Sequence, residues 1–133
     1  MTKRMNIGIF GSNNDSTIDG VVAEAAQAER DGFASYWQSQ IFGLDALSTL
    51  SVVGREVPRI ELGTSVIPVY PRHPMMLAQQ ALTANQAAGG RLTLGIGLGH
   101  KVVVEGMTNM SFDKPVRHMK EYLSILMPLI HKQ

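Results

Sequence analysis

Four short segments carry residue types suited to binding an anion or polarising a substrate, and each follows an apolar run. They are "GSNND", "QSQIFG", "SVIPVYPRHP" and "GLGHKVVVEG". In the last segment and just before it, a glycine stands at every second position and a histidine follows: Gly95, Gly97, Gly99 and His100. Glycines let backbone N–H groups approach a phosphate closely, and His100 or Lys101 would add positive charge. The segment therefore predicts a phosphate cradle, with a close-packed glycine-rich strand as the alternative.

The glycine spacing differs from that of a nicotinamide dinucleotide site. A dinucleotide fingerprint reads GxGxxG, and His100 stands where its third glycine would fall. The spacing therefore argues against a Rossmann-type nicotinamide site.

Three prolines follow the third apolar run, at Pro68, Pro71 and Pro74. Proline lacks a backbone N–H and cannot continue a strand ladder, so the strand must end here. A tyrosine, an arginine and His73 lie between the prolines. This composition is typical of a rigid surface loop, and it is equally compatible with a binding-site wall.

Each of the four segments lies between a predicted strand and a predicted helix. The strands are "MNIGIF", "FASYW", "RIELGTSV" and "RLTLGIG". The first helix opens at the capping-box pattern Ser16–Asp19 and ends at Gly32, and Pro58 ends the second. Pro74 opens the third helix, which closes at Gly89–Gly90, and a looser connection leads to a last helix.

Apolar spacing predicts the inward faces of three helices. The inward residues are Ile18, Val21, Val22, Ala25 and Ala26; then Leu44, Leu47, Leu50 and Val53; and, in the helix opened by Pro115, Val116, Met119, Tyr122, Leu123 and Leu126. Trp37, Met75 and Met76 are predicted to be core residues and not cofactor contacts.

Alternating strands and helices indicate an α/β fold with a parallel sheet, in one domain over residues 1–133. Two closures are compatible with this order. One is a doubly wound sheet, which the length favours; the other is half of a (β/α)8 TIM barrel, whose full length is about 250 residues. The motifs at the strand ends favour the half-barrel.

Composition excludes several classes of function. The chain has 133 residues, with 12 Lys and Arg against 11 Asp and Glu, so it offers no basic surface for a nucleic acid or a membrane. It has no cysteine, which excludes disulfides and thiolate metal sites, and no metal site is predicted. A reducing compartment, the cytoplasm, is expected. No signal peptide is visible, and no apolar run approaches the roughly 20 residues of a membrane span.

The long central stretch "LGTSVIPVYPRHPMMLAQQALTANQAAGGRLTLGIGLGHKVVVEG", followed by "SFDKPVRHMKEYLSIL", resembles the N-terminal half of the bacterial luciferase-like oxidoreductases. It is most similar to the branch that uses the deazaflavin coenzyme F420. The resemblance implies half of a (β/α)8 barrel of the luciferase-like type, with F420 or FMN bound at the C-terminal mouth and a homodimeric assembly.

The resemblance also implies roles for particular residues. It places a non-proline cis peptide at Ser65–Val66, in a bulge that backs the cofactor ring. It assigns the cofactor phosphate to backbone groups of Gly97, Leu98, Gly99 and His100.

The chain departs from its relatives at the end of the second strand. Several relatives have an acidic residue and a histidine there, whereas this chain has Gln40 and Ile41. An amide hydrogen bonds but cannot act as a general base, so proton transfer would fall to His73, His100 or water. Gln40 and His73 are the predicted catalytic residues. His118 and His131 are predicted to be surface or packing residues.

The predicted function is therefore hydride transfer between F420 and a small organic substrate. The alternatives are an FMN-dependent luciferase-like monooxygenase and, in another class, a non-catalytic half-barrel that serves assembly or is a fragment of a longer protein. Unpaired edges of the first and last strands predict a homodimer of complementing half-barrels.

Overall fold

The computed structural model describes residues 5–12 and 17–131. Its elements alternate between short strands and helices. In chain order they are β1 (Gly8–Phe10), α1 (Ile18–Arg30), β2 (Ser35–Gln38), α2 (Ala46–Glu56), β3 (Glu61–Thr64), β4 (Ile67–Pro68), α3 (Pro74–Ala87), β5 (Leu92–Thr93), β6 (Ile96–Gly97), α4 (Lys101–Thr108) and α5 (Pro115–His131).

The strands form a parallel sheet in the order β1-β2-β3-β5, and β4 pairs with β6 in a second, two-stranded ladder. The strand order follows the chain order without a reversal. A doubly wound sheet reverses its strand order at a switch point, so that alternative was wrong and the half-barrel prediction was right. The predicted third and fourth strands are each broken in two, as β3 with β4 and β5 with β6.

Local sequence signals explain most helix ends. Thr17 is the N-cap of α1, and its side chain accepts a hydrogen bond from the Gly20 N–H. Ser16, where the predicted capping box begins, lies outside the described residues. Gly32 follows α1 with φ of +84°, and Gly89 and Gly90 follow α3 with φ of +62° and +87°. These left-handed conformations favour glycine, as predicted.

Two hydrophobic cores lie between the sheet and the helices. The β2-side core joins α1 and α2 to the sheet and contains Val21, Ala25, Ala28, Tyr36, Leu50, Val53, Val57, Ile60, Leu62 and Ala88. The β4-side core joins α2, α3 and α5 and contains Ala46, Leu47, Ile67, Val69, Tyr70, Leu77, Ala78, Ala84, Val104, Tyr122 and Leu126. Most helix residues predicted to face inward belong to these cores or pack against them.

Four predicted core positions were wrong, and one helix was not predicted. Ile18, Met75, Met76 and Val116 are exposed. All four lie in the first turn of their helices. The segment predicted as a looser connection contains α4, whose run of valines and Gly106 have low helix propensity.

Candidate functional site

The break between β3 and β4 and the break between β5 and β6 lie side by side, near the C-terminal edge of the sheet. The Thr64 hydroxyl donates to the Gly95 carbonyl at 2.9 Å and accepts from the Gly95 N–H at 2.9 Å. A Cβ at Gly95 would lie 2.0 Å from the Thr64 carbonyl oxygen, so only glycine fits there. Pairing resumes between β4 and β6, where the Ile67 N–H donates to the Gly95 carbonyl.

The interruption brings two predicted cofactor-binding segments together. The Ser65–Val66 peptide bond is cis, as the family resemblance predicted. Gly97 packs directly against the side chain of Val66, because a Cβ at Gly97 would lie 2.6 Å from its Cγ2. The Val69 N–H donates to the Gly97 carbonyl at 2.9 Å. Ser65 and Val66 are exposed, so the two strand ends present one accessible surface.

The chain continues from this surface into the N-terminus of α4. Gly99 has φ of +76°, and His100 is the N-cap but makes no side-chain capping hydrogen bond. The first N–H groups of a helix attract an anion when no side chain satisfies them. Lys101 adds a positive charge and lies 4.0 Å from Glu105 across one helical turn. Leu98 is half-buried beside this turn, and Gly99 and His100 are exposed. These residues fit a phosphate group.

The two predicted catalytic residues are both engaged in helix caps. The Gln40 Oε1 accepts a hydrogen bond from the Ala46 N–H at 2.8 Å, at the start of α2. The His73 Nδ1 accepts from the Met75 N–H at 3.2 Å, at the start of α3. Within residues 5–12 and 17–131, no hydrogen bond joins either side chain to the Ser65–Val66 segment or to Gly97–His100. Their catalytic role stays a prediction.

Arg72 is a residue whose role the sequence did not predict. Its guanidinium forms an ion pair with Asp45 at the N-cap of α2 and donates to the Gln80 Oε1 of α3 at 3.0 Å. Its carbonyl accepts from the Tyr122 hydroxyl of α5 at 2.8 Å. Burial raises the pKa of the Asp45 carboxyl, but hydrogen bonds from Ser48 and the charge of Arg72 outweigh burial and hold that pKa below its usual value. One arginine thus joins three helices to the loop after β4.

Tyr70 fixes the same loop by ring stacking. Its ring lies 4.1 Å from that of His118 at an interplanar angle of 5°, and 5.1 Å from that of Phe112. His118 is therefore a packing residue, one of the two roles predicted for it. Burial, with the charge of Asp113 as a smaller cause, raises the pKa of the Tyr70 hydroxyl.

Two further features concern the part of the chain that the structure describes, residues 5–12 and 17–131. No group of three His, Asp or Glu side chains is placed to hold a metal ion there. No helix in that part is long and apolar enough to cross a membrane.

A parallel sheet in sequential order, covered by helices and followed at its C-terminal edge by a helix N-terminus without a side-chain cap, defines half of a (β/α)8 barrel. The chain belongs to the luciferase-like monooxygenase family, whose model matches residues 5–132.

Individual relatives agree with this assignment. A Mycobacterium tuberculosis protein provisionally named a coenzyme F420-dependent oxidoreductase is 34% identical over 122 residues, which are 92% of this chain and 34% of that protein. The structure of an F420-dependent secondary alcohol dehydrogenase with an F420–acetone adduct matches with a TM-score of 0.83 at 21% identity, over 98% of this chain and 43% of that one. The FMN complex of a Baeyer–Villiger monooxygenase from Pseudomonas putida matches with a TM-score of 0.79 at 20% identity, over 92% and 38%. The chain thus spans about a third of the length of the curated relative.

Proposed function

We propose that the protein is the cofactor-binding half of an F420-dependent oxidoreductase, which transfers a hydride between F420 and a small organic substrate at the barrel mouth. The observation that carries the proposal is the packing of Gly97 against Val66, directly before the uncapped N-terminus of α4. This arrangement offers an apolar wall and an anion site within one surface. The name of the Mycobacterium tuberculosis relative supports F420 as the cofactor.

The two parts of this surface suit the two ends of the cofactor. The exposed side chain of Val66, with Ser65, would support the ring system from one side. The N–H groups of Gly99 and of the first turn of α4 would hold the phosphate, with Leu98 closing the side of the turn. When bound, F420 would supply the hydride chemistry at its ring carbon C5, and the protein would position both reactants.

Gln40 and His73 are the polar side chains that we propose act on the substrate. The Gln40 Oε1 is occupied by the Ala46 N–H, so its amide NH2 remains the group available to donate to a substrate oxygen. The His73 Nδ1 accepts from the Met75 N–H, so a neutral ring carries its proton on Nε2. His73 is exposed, so Nε2 can exchange that proton with a substrate or with water.

The experiment titrates the protein with F420 and separately with FMN while the absorbance of the cofactor is recorded. Gly99→Ala places a side chain at φ of +76° and should weaken binding about tenfold or more. Gly106→Ala is the matched control, because a Cβ there meets no atom within 4 Å. Equal affinities of both variants and the parent protein would contradict the phosphate site.

An FMN-dependent monooxygenase is the second candidate. The FMN-bound Baeyer–Villiger enzyme matches this half-barrel over 38% of its own length, so the fold is compatible with either cofactor. The same titrations separate the two candidates, since tighter binding of FMN than of F420 would favour the monooxygenase. Absence of binding by both would favour the third alternative, a non-catalytic half-barrel.

We also propose that the half-barrel is completed by a second copy or by a partner half. The edges of β1 and of β5 with β6 have no strand beside them within the described residues. Unpaired edges of parallel strands are templates for pairing, and two half-barrels related by a two-fold axis would supply eight strands. Sedimentation should give at least a dimer at micromolar concentration, and a stable monomer would contradict this proposal.

The absence of cysteine supports the cytoplasm as the compartment.

A further inference from the structure

The single tryptophan of the chain, Trp37, lies on the inner face of the sheet, away from the helices. Its neighbours Tyr36 and Leu62 belong to the β2-side core beneath α1 and α2. Successive residues of a strand point to opposite faces. Trp37 and Gly63, which pair in register, therefore both face the barrel interior. Trp37 is half-buried there.

Two glycines on the flanking strands leave the space that the indole occupies. A Cβ at Gly63 would lie 2.3 Å from Cε3 of Trp37, and a Cβ at Gly8 would lie 3.0 Å from its Nε1. The ring thus spreads across the backbones of β1 and β3. The indole N–H donates to the Ser35 Oγ at 2.8 Å, which fixes the direction of the ring. A Cβ at Gly8 would also lie 2.4 Å from that oxygen, so Gly8 preserves the hydrogen bond.

The indole lies just below the candidate site. Trp37 pairs with Gly63, Gln38 pairs with Thr64, and the Ser65 N–H donates to the Gln38 carbonyl at 2.8 Å. Ser65 follows Gly63 by two positions, which corresponds to roughly 7 Å along the strand. A planar ring resting on Val66 and directed into the barrel would therefore reach the level of the indole. Phe10, paired in register with Trp37 and exposed, continues the apolar surface on the same face.

We propose that Trp37 is the floor of the cofactor pocket and sets how deeply the planar ring of F420 or FMN enters the barrel. This inference rests on the proposed function. The indole offers a flat apolar surface, which aromatic rings contact favourably by stacking or edge-to-face packing. Ser35, Gly8 and Gly63 act as positioning residues, because they hold the indole flat against the sheet.

The test uses Trp37 as its own reporter, since the chain has no other tryptophan. Protein is titrated with F420 and with FMN, and the cofactor absorbance and the tryptophan emission are followed together. N-acetyltryptophanamide with the same cofactor corrects for absorption of the exciting and emitted light. We expect the emission to fall to less than about half, with the same midpoint as the absorbance change, because a stacked ring quenches the indole.

Three variants distinguish a contact between Trp37 and the cofactor from a general effect of substitution on binding. Gly63→Ala should displace the indole and weaken binding about tenfold. Trp37→Phe leaves the backbone untouched and should weaken binding several-fold, and it covers the case in which Gly63→Ala fails to fold by circular dichroism. Gly106→Ala, where a Cβ meets nothing within 4 Å, should bind as the parent protein does.

The outcomes distinguish this inference from the proposed function. An absorbance change without a change in emission, together with unaltered affinity of Trp37→Phe, would overturn the role of Trp37 and leave the proposed function intact. Absence of any absorbance change with either cofactor would overturn both.

Discussion

The loops after β2 and after β4 both lie at the C-terminal edge of the sheet, but they are held very differently. In the 69–73 loop, Tyr70 is stacked between two rings and Arg72 is bound to three helices. In the 39–44 loop, the side chains of Ile41 and Phe42 are 57% and 69% exposed. The Gln40 Oε1 accepts a hydrogen bond from the Ala46 N–H at the start of α2.

The 69–73 loop is thus held firmly in place, whereas the 39–44 loop can change conformation more readily. Groups that make many buried contacts are costly to move, whereas exposed side chains with few contacts can change conformation or identity at little cost. Pro71, within the 69–73 loop, therefore belongs to the framework that supports the candidate site. The 39–44 loop is the part of this edge that can change conformation at little cost.

The largest expected effect compares an aromatic residue from each loop. Tyr70→Ala removes a buried ring from between Phe112 and His118 and should lower the free energy of unfolding by about 3 kcal/mol. Phe42→Ala should change it by less than about 0.5 kcal/mol, because the side chain is exposed. Urea denaturation followed by circular dichroism measures both. Equal losses would show that the 39–44 loop is packed as firmly as the 69–73 loop.

The next effect tests the arginine that ties the loop to the helices. Arg72→Ala should cost about 2 kcal/mol, because the Arg72 side chain is only 16% exposed and the Asp45 carboxylate loses its partner. Arg59→Ala is the control, since that side chain is 74% exposed in its ion pair with Glu29 and should cost less than about 1 kcal/mol. A loss of stability in Arg72→Ala no larger than in Arg59→Ala would contradict the role of Arg72 in joining the loop to the helices.

A smaller effect is expected in the pH dependence of unfolding. Asp45 has a lowered pKa in the folded state against about 3.9 when unfolded, so its contribution is complete above about pH 5. That contribution declines as the pH falls through the folded-state pKa. Asp45→Asn retains a capping side chain but does not titrate, so its stability should fall less than that of the parent between about pH 5 and pH 2. Parallel stability curves for the two proteins would refute the assignment.

The smallest effect concerns the cap of α3. His73→Ala should cost about 0.5 to 1 kcal/mol through loss of the bond from the Met75 N–H, and His73→Asn should restore it. With the stability known, hydride transfer from F420 can be compared in the two variants. Impaired transfer in His73→Asn at restored stability would support the catalytic role, and unimpaired transfer would leave His73 as a cap.

Local signals in the sequence were sufficient for most of the fold. Gly32, Gly89 and Gly90 occupy the left-handed positions that glycine favours, and Pro74 opens its helix. These features depend on neighbours within one or two turns, which a sequence displays directly. The cis bond at Ser65–Val66 followed from family resemblance and from no local pattern.

What the sequence did not predict depends on contacts between distant residues. The strand break arises where the Thr64 hydroxyl meets Gly95, 31 positions away. The ion pair of Arg72 with Asp45 spans 27 positions, and neither residue is distinguished by its neighbours. Helix α4 has weak helix propensity, but Val104 is buried in the β4-side core, and such packing outweighs propensity.

The hydrogen bond from Tyr122 to the Arg72 carbonyl bears on the order in which the protein is made. It spans 50 residues and joins the loop to α5, which leaves the ribosome after all six strands. Chains emerge N-terminus first, so β1 through β6 can pair before the carbonyl of Arg72 finds its donor. The loop therefore stays only partly secured during synthesis. The hydrogen bond from Tyr122 forms when α5 docks, and the same step completes the β4-side core around Tyr70.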